Sequence, residues 1–156
     1  GRIMASDDPN YNAEHDSNVG CFGLFETIDD REVASALLGA AADWLRARGR
    51  GEIMGPIDYS TNYVCALLIE GFQHPPTLLT PHNPPYYAAL IEGAGFRKEM
   101  DWYAWWFDQP DDARLRLQRI SKRFANSLDV KLRTVKMKDL ASESRPLRAI
   151  YNRAGG

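Results

Sequence analysis

The chain has 156 residues, 44% of them hydrophobic and 26% charged, with a net charge of −2, which suits about one globular domain with a real core. No apolar run approaches the roughly 20 residues of a membrane helix, and no signal peptide is visible. Cys21 and Cys65 sit in apolar surroundings without metal-ligand spacing, so they read as free, buried thiols of a cytoplasmic protein. The small net charge conceals an asymmetry: residues 1–110 hold 7 Lys/Arg against 16 Asp/Glu, whereas residues 111–156 hold 12 against 5. The basic tail has few aromatics and no nucleic-acid motif, which argues for packing on an acidic surface rather than on nucleic acid.

Residues 1–5 read as a strand already under way, and the polar stretch Asp7 to Asn18 as a loop. Val19 to Ile28, apolar on both faces apart from Glu26, predicts a central strand. Asp29 followed by Glu32 predicts a helix cap, and Val33, Leu37, Ala41, Trp44 and Leu45 give the helix an apolar stripe. Gly49 to Gly51 ends that helix, and Glu52 to Ile57 predicts a second strand. Residues 62–72 echo residues 83–96, each running from Asn through Leu and Ile to Phe, and the first copy predicts a short helix.

Leu78 to Thr80 predicts a short buried strand, after which Pro84 and Pro85 suit a first helical turn. Tyr86, Tyr87, Leu90 and Ile91 share one face of that helix, and Gly93 and Gly95 stop it. Met100 to Phe107 predicts an aromatic strand, with Trp102 and Trp106 on one face and Tyr103, Trp105 and Phe107 on the other. Asp111 and Asp112 open a helix carried by Ala113, Leu117, Ile120, Phe124 and Leu128. Val130 to Met137 alternates as a strand, and residues 140–153 predict a last helix with Pro146 in its first turn.

The order Gly55-Pro56, Ser60-Thr61-Asn62, Cys65, Glu70-Gly71-Phe72, Asn83-Pro84-Pro85-Tyr86-Tyr87 and Gly95-Phe96 resembles a bacterial branch of the GCN5-related N-acetyltransferase (GNAT) superfamily, over roughly residues 19–108. The resemblance implies an α/β (α+β) fold of acyl-CoA N-acyltransferase type: a mixed, mainly antiparallel sheet flanked by helices, here without its N-terminal elements. It divides the chain into a partial domain at residues 1–109 and a basic helical extension at 110–156 that looks like the opening of a second such unit. On that reading the chain is a fragment of a longer tandem-domain protein. The implied reaction moves an acyl group from acetyl-CoA or another acyl-CoA to an amine, a small-molecule substrate whose identity the sequence does not disclose.

The resemblance also assigns a site. The coenzyme A pyrophosphate belongs on backbone N–H groups at the helix start, which brings in Ile28, Arg31 and Val33, with Asn62, Asn83 and Tyr86 as further cofactor contacts. The loop departs from the family pattern, because it lacks glycine and carries Asp29, Asp30 and Glu32 against Arg31 alone. Glu26 stands where a general base takes the amine proton, or is a strand-end carboxylate paired with an Arg. Tyr87 stands where a general acid protonates the leaving thiolate, or is a core tyrosine with its hydroxyl tied down; adjacent helical positions admit at most one of Tyr86 and Tyr87. Asn62 and Asn83 either bond the cofactor or close Asx turns. No spacing supports a metal site or a Cys65 nucleophile. The alternative to catalysis is a degenerate GNAT-fold domain used for assembly or small-ligand binding. An open strand edge and the separated charges predict a homodimer with residues 111–156 at its interface.

Overall fold

The computed structural model describes residues 1–106, 111–127 and 133–154. The chain divides into two compact units, Gly1–Ala104 and Trp105–Gly156. The first holds a three-stranded mixed sheet in the order β1 (Arg2–Ser6), β2 (Val19–Glu26), β3 (Glu52–Met54). β1 runs antiparallel to β2, and β3 runs parallel to it. The predicted central strand is therefore central, and the α+β class holds.

The register from Arg2↔Glu26 to Met4↔Gly23 advances three residues on β2 for two on β1. That extra residue is a bulge, and Leu24 within it has φ +45, a left-handed conformation uncommon for a bulky side chain. The Leu24 N–H leaves the ladder and donates to Asp58 Oδ1 at 2.7 Å. β3 stops at Met54 because Gly55 and Pro56 follow, and Pro has no N–H to continue a ladder. The chain nevertheless stays beside β2, with Ile57 N–H donating to Phe22 O at 2.7 Å.

The stretch predicted as a loop before β2 contains α1 (Pro9–Glu14). Asp8 caps it by accepting from the Asn10 and Tyr11 amides, and Pro9 fits the first turn. Buried Asn12 then fixes the exit: its side chain accepts from Val19 N–H and donates to Val19 O, both at 2.8 Å. Hydrophobic periodicity could not reveal this helix, because a buried amide organises it.

α2 (Arg31–Arg46) crosses the sheet and buries Ala34, Leu38, Ala41 and Leu45. Of the predicted stripe, Ala41 and Leu45 are buried, Val33 and Leu37 are half-buried at its edge, and Trp44 is exposed. Trp44 stays on the rim because the Arg48 guanidinium stacks 3.4 Å from its ring centroid. α3 (Tyr87–Gly93) buries Tyr87, Leu90 and Ile91, as its spacing predicts. It ends where Gly95, at φ +96, turns the chain so that Phe96 N–H reaches back to Ile91 O. Phe22, Phe25, Leu38, Tyr87, Leu90 and Ile91 meet in one core.

Three predicted elements differ. Residues 62–72 contain no helix. Leu78 to Thr80 is a turn, not a buried strand: Thr80 Oγ1 accepts from Thr77 N–H, and Leu78 is 89% exposed. A threonine hydroxyl offers the backbone a local partner in place of a ladder. Residues 100–106 form no strand either; Trp102 Nε1 donates to Met100 Sδ and Lys98 pairs with Asp101, so local contacts replace pairing. Phe107 lies outside the described residues.

In the second unit, α4 (Asp111–Ser127) and α5 (Leu140–Ala154) follow the predicted helices, with a short 3-10 turn at Met137–Asp139. The strand expected from Val130 to Met137 is absent over residues 133–136, and its first part, like Leu128, lies outside the described residues. Pro146 sits inside α5 rather than in its first turn; its exposed position lets water serve the carbonyl it orphans. Among the described residues no helix is long and apolar enough to cross a membrane.

The glycines of β2 and α2 offer a paired test. A Cβ on Gly23 would lie 2.2 Å from Ile57 O, a backbone atom, whereas one on Gly39 would meet nothing within 4 Å. Gly23→Ala should destabilise by about 1–3 kcal/mol through overpacking. Gly39→Ala should stabilise by about 0.5–1 kcal/mol through helix propensity. Urea denaturation of both variants reads the two signs, and equal effects would contradict the described approach of residues 57–58 to β2.

Candidate functional site

β2 ends at Glu26, and Thr27 to Asp30 turn the chain into α2. Asp30, not Asp29, is the N-cap: its Oδ1 accepts from Glu32 N–H at 2.8 Å and Val33 N–H at 3.1 Å. The first intrahelical bond runs from Ala34 N–H to Asp30 O. An aspartate caps the helix as expected, but one residue later than Asp29 and without the reciprocal Glu32 contact of a capping box, because the Asp30 N–H donates to Ile28 O.

Thr27 is the hub of the junction. Tyr86 Oη donates to Thr27 O at 3.0 Å, and Thr27 N–H donates to Tyr87 Oη at 3.1 Å. Both phenols therefore converge on one residue, where the sequence pattern admitted only one. Neighbouring helical side chains diverge by about 100°, but a tyrosine is long enough to bring both hydroxyls back to two atoms of one residue. The rings pack at 5.3 Å between centroids, and Tyr87 meets Phe25 edge-on at 5.2 Å. Burial, then Tyr87 and Asp29, push the Tyr86 phenol above its ordinary value. Thr27 Oγ1 is buried without a hydrogen-bond partner among the described residues.

The other predicted site residues divide. Glu26 is exposed, and its Oε1 accepts from Arg2 Nη2 at 2.7 Å, the arginine-paired arrangement. Ile28 and Arg31 are exposed beside it, and Val33 is half-buried. Asn83 closes no Asx turn on a residue two positions ahead. It accepts from Leu68 N–H at 2.8 Å and donates to Leu68 O at 3.2 Å, as a partner strand would. Asn62 is exposed, and its backbone N–H meets Ser60 Oγ. Cys65 is buried and Cys21 half-buried; both are free, and burial, then a neighbouring aspartate, raises both thiols. Sequence reasoning missed Thr27 and Asp58, because a residue whose role is to present or satisfy a backbone amide leaves no periodic signal.

A coenzyme A pyrophosphate does not fit the α2 N-terminus. Two of the amides that an anion needs are already held by Asp30 Oδ1. Asp29, Asp30 and Glu32 add three carboxylates within four residues, against Arg31.

The tyrosine clamp makes two predictions. Tyr87→Phe leaves the buried Thr27 N–H unpaired and should cost about 1–3 kcal/mol in a denaturant titration. The raised Tyr86 phenol stabilises the fold fully below the ordinary phenol value of about 10 and loses that contribution as pH rises through the raised one. The melting-temperature difference between wild type and Tyr86→Phe should therefore shrink above pH ~10; a constant difference would exclude the linkage.

The chain is 37% identical over 154 residues to protein YghO of Escherichia coli, an alignment covering 97% of this chain and 39% of that protein. It is 38% identical over 135 residues to the bacterial ceramide synthase of Caulobacter vibrioides, covering 86% of this chain and 35% of that one. No protein-family model and no solved structure matches. The chain thus spans less than two fifths of the length of these two homologues.

Proposed function

We propose that this chain is the amide-forming part of an acyltransferase, one that joins an acyl group from a thioester donor to the amine of a long-chain amino alcohol. The observation that carries it is the 38% identity with a bacterial ceramide synthase. A ceramide is an amide of a fatty acid and a long-chain amino alcohol, so its synthase performs an N-acylation. The resemblance to the GNAT superfamily points to the same reaction class, and the parallel β2–β3 pair with its bulge and the tyrosines at the β2 end is compatible with it.

In that reaction the amine nitrogen attacks the thioester carbonyl carbon, a C–N bond forms and the C–S bond breaks. The nitrogen gives up a proton and the thiolate gains one. Glu26, exposed at the end of β2, is the group for the first transfer, its carboxylate oriented by Arg2. Tyr87 is the group for the second. Its oxygen accepts the Thr27 N–H, which leaves its own proton to give and helps carry the phenolate that results. Tyr86, by contrast, commits its proton to Thr27 O.

A second reading, a non-catalytic domain for assembly or small-ligand binding, is favoured by one observation: the backbone donors of the bulge and of the helix start are held by Asp58 and Asp30.

Incubation of the chain with a fatty acyl thioester and a long-chain amino alcohol should yield the amide, detected by mass spectrometry. Glu26→Gln should slow its formation by about 10²-fold or more, as loss of a general base does, without changing the melting temperature by more than a surface ion pair allows. No amide from any acyl donor would leave the second reading in place.

A further inference from the structure

We propose that Asp30 closes the α2 N-terminus to a donor's pyrophosphate, so that the chain recognises its acyl donor as a pantetheine thioester and gains nothing from the adenosine diphosphate half of coenzyme A. The proposal rests on the thioester reading above and sets its donor specificity.

A helix start binds an anion because its first amides lack intrahelical partners and its dipole favours negative charge. In α2 the Glu32 and Val33 amides both end on Asp30 Oδ1. A phosphate oxygen arriving there must displace a carboxylate tethered two to three residues away. It must also approach Asp29 and Glu32, and like charges in one small volume oppose each other. Rearrangement of the turn is restrained at its other end, because Thr27 is held through both its N–H and its C=O by Tyr87 and Tyr86. The closed state is thus built from four hydrogen bonds on a stretch of seven residues, 27–33. An acyl group on pantetheine presents no pyrophosphate to this turn, whether the arm is free or carried on a protein.

Isothermal calorimetry on the full 156-residue chain, with coenzyme A and pantetheine as ligands, tests the assignment in wild type, Asp30→Gly and Asp30→Asn. Glycine still caps tolerably while freeing both amides; asparagine keeps the hydrogen bond and removes the charge. Wild type should bind the two ligands within about threefold of each other, and Asp30→Gly should gain about tenfold for coenzyme A alone. Asp30→Asn should gain less, and it preserves the test if the glycine variant fails to fold. A wild type that prefers coenzyme A by about tenfold or more would overturn the inference and leave the thioester reading intact. Equal binding that no Asp30 variant changes would overturn the role given to Asp30. Failure of both ligands to bind any form would overturn the thioester reading, and this inference with it.

Discussion

The first unit depends on how Thr27 is held. Its N–H and C=O bond to two phenols that follow it by 60 and 59 residues. Between them lie α2, β3 and a long segment, residues 55–86, with one isolated bridge and little other regular structure. Closing such a loop costs entropy that grows only slowly with its length, so a few well-placed contacts suffice. The phenols supply the polar ones. Phe25 against Tyr87 and Phe22 against Phe96 supply the apolar ones and bury the strand under α3. The irregular segment is then pinned along its path, by Asp58 to Leu24 and by Asn83 to Leu68.

Aspartate does in this unit what regular pairing does elsewhere. Asp8 holds the Asn10 and Tyr11 amides, Asp30 those of Glu32 and Val33, and Asp58 that of Leu24. Each of these N–H groups lies where a helix begins or a strand bulges, so no carbonyl is positioned to accept it. A carboxylate accepts more strongly than a carbonyl. Part of the acidic excess of residues 1–110 therefore serves the backbone, and is not simply a solvated or partner-seeking surface.

What the sequence disclosed follows from the same division. β2, α2 and α3 were legible because burial writes a period into them: continuous apolar residues in β2, helical spacing of Tyr87, Leu90 and Ile91 in α3. α1 was illegible because a buried Asn12 and an Asp8 cap, not an apolar stripe, define it. Residues 78–80 and 100–106 misled because apolar and aromatic composition fits a strand only where a partner ladder exists. Around Thr27, the residues that meet were legible and their arrangement was not. Glu26, Asp30, Tyr86 and Tyr87 are drawn to one junction, but their convergence on the Thr27 peptide depends on backbone atoms that every residue carries alike.

The junction also shows why fold and chemistry need not travel together. A site gains binding power from groups left unpaired at some cost in stability. Here the bulge amide of Leu24 and the helix-start amides of Glu32 and Val33 are paired within the chain, which stabilises the turn. What stays without a partner among the described residues is different in kind: the buried Thr27 hydroxyl, next in the chain to the Glu26 carboxylate that Arg2 pairs. An orphaned hydroxyl costs about 1–3 kcal/mol when nothing meets it, and it lies one residue from Glu26. The junction thus pairs its backbone donors internally and keeps its titratable side chains, Glu26 and the two phenols, on the same short turn.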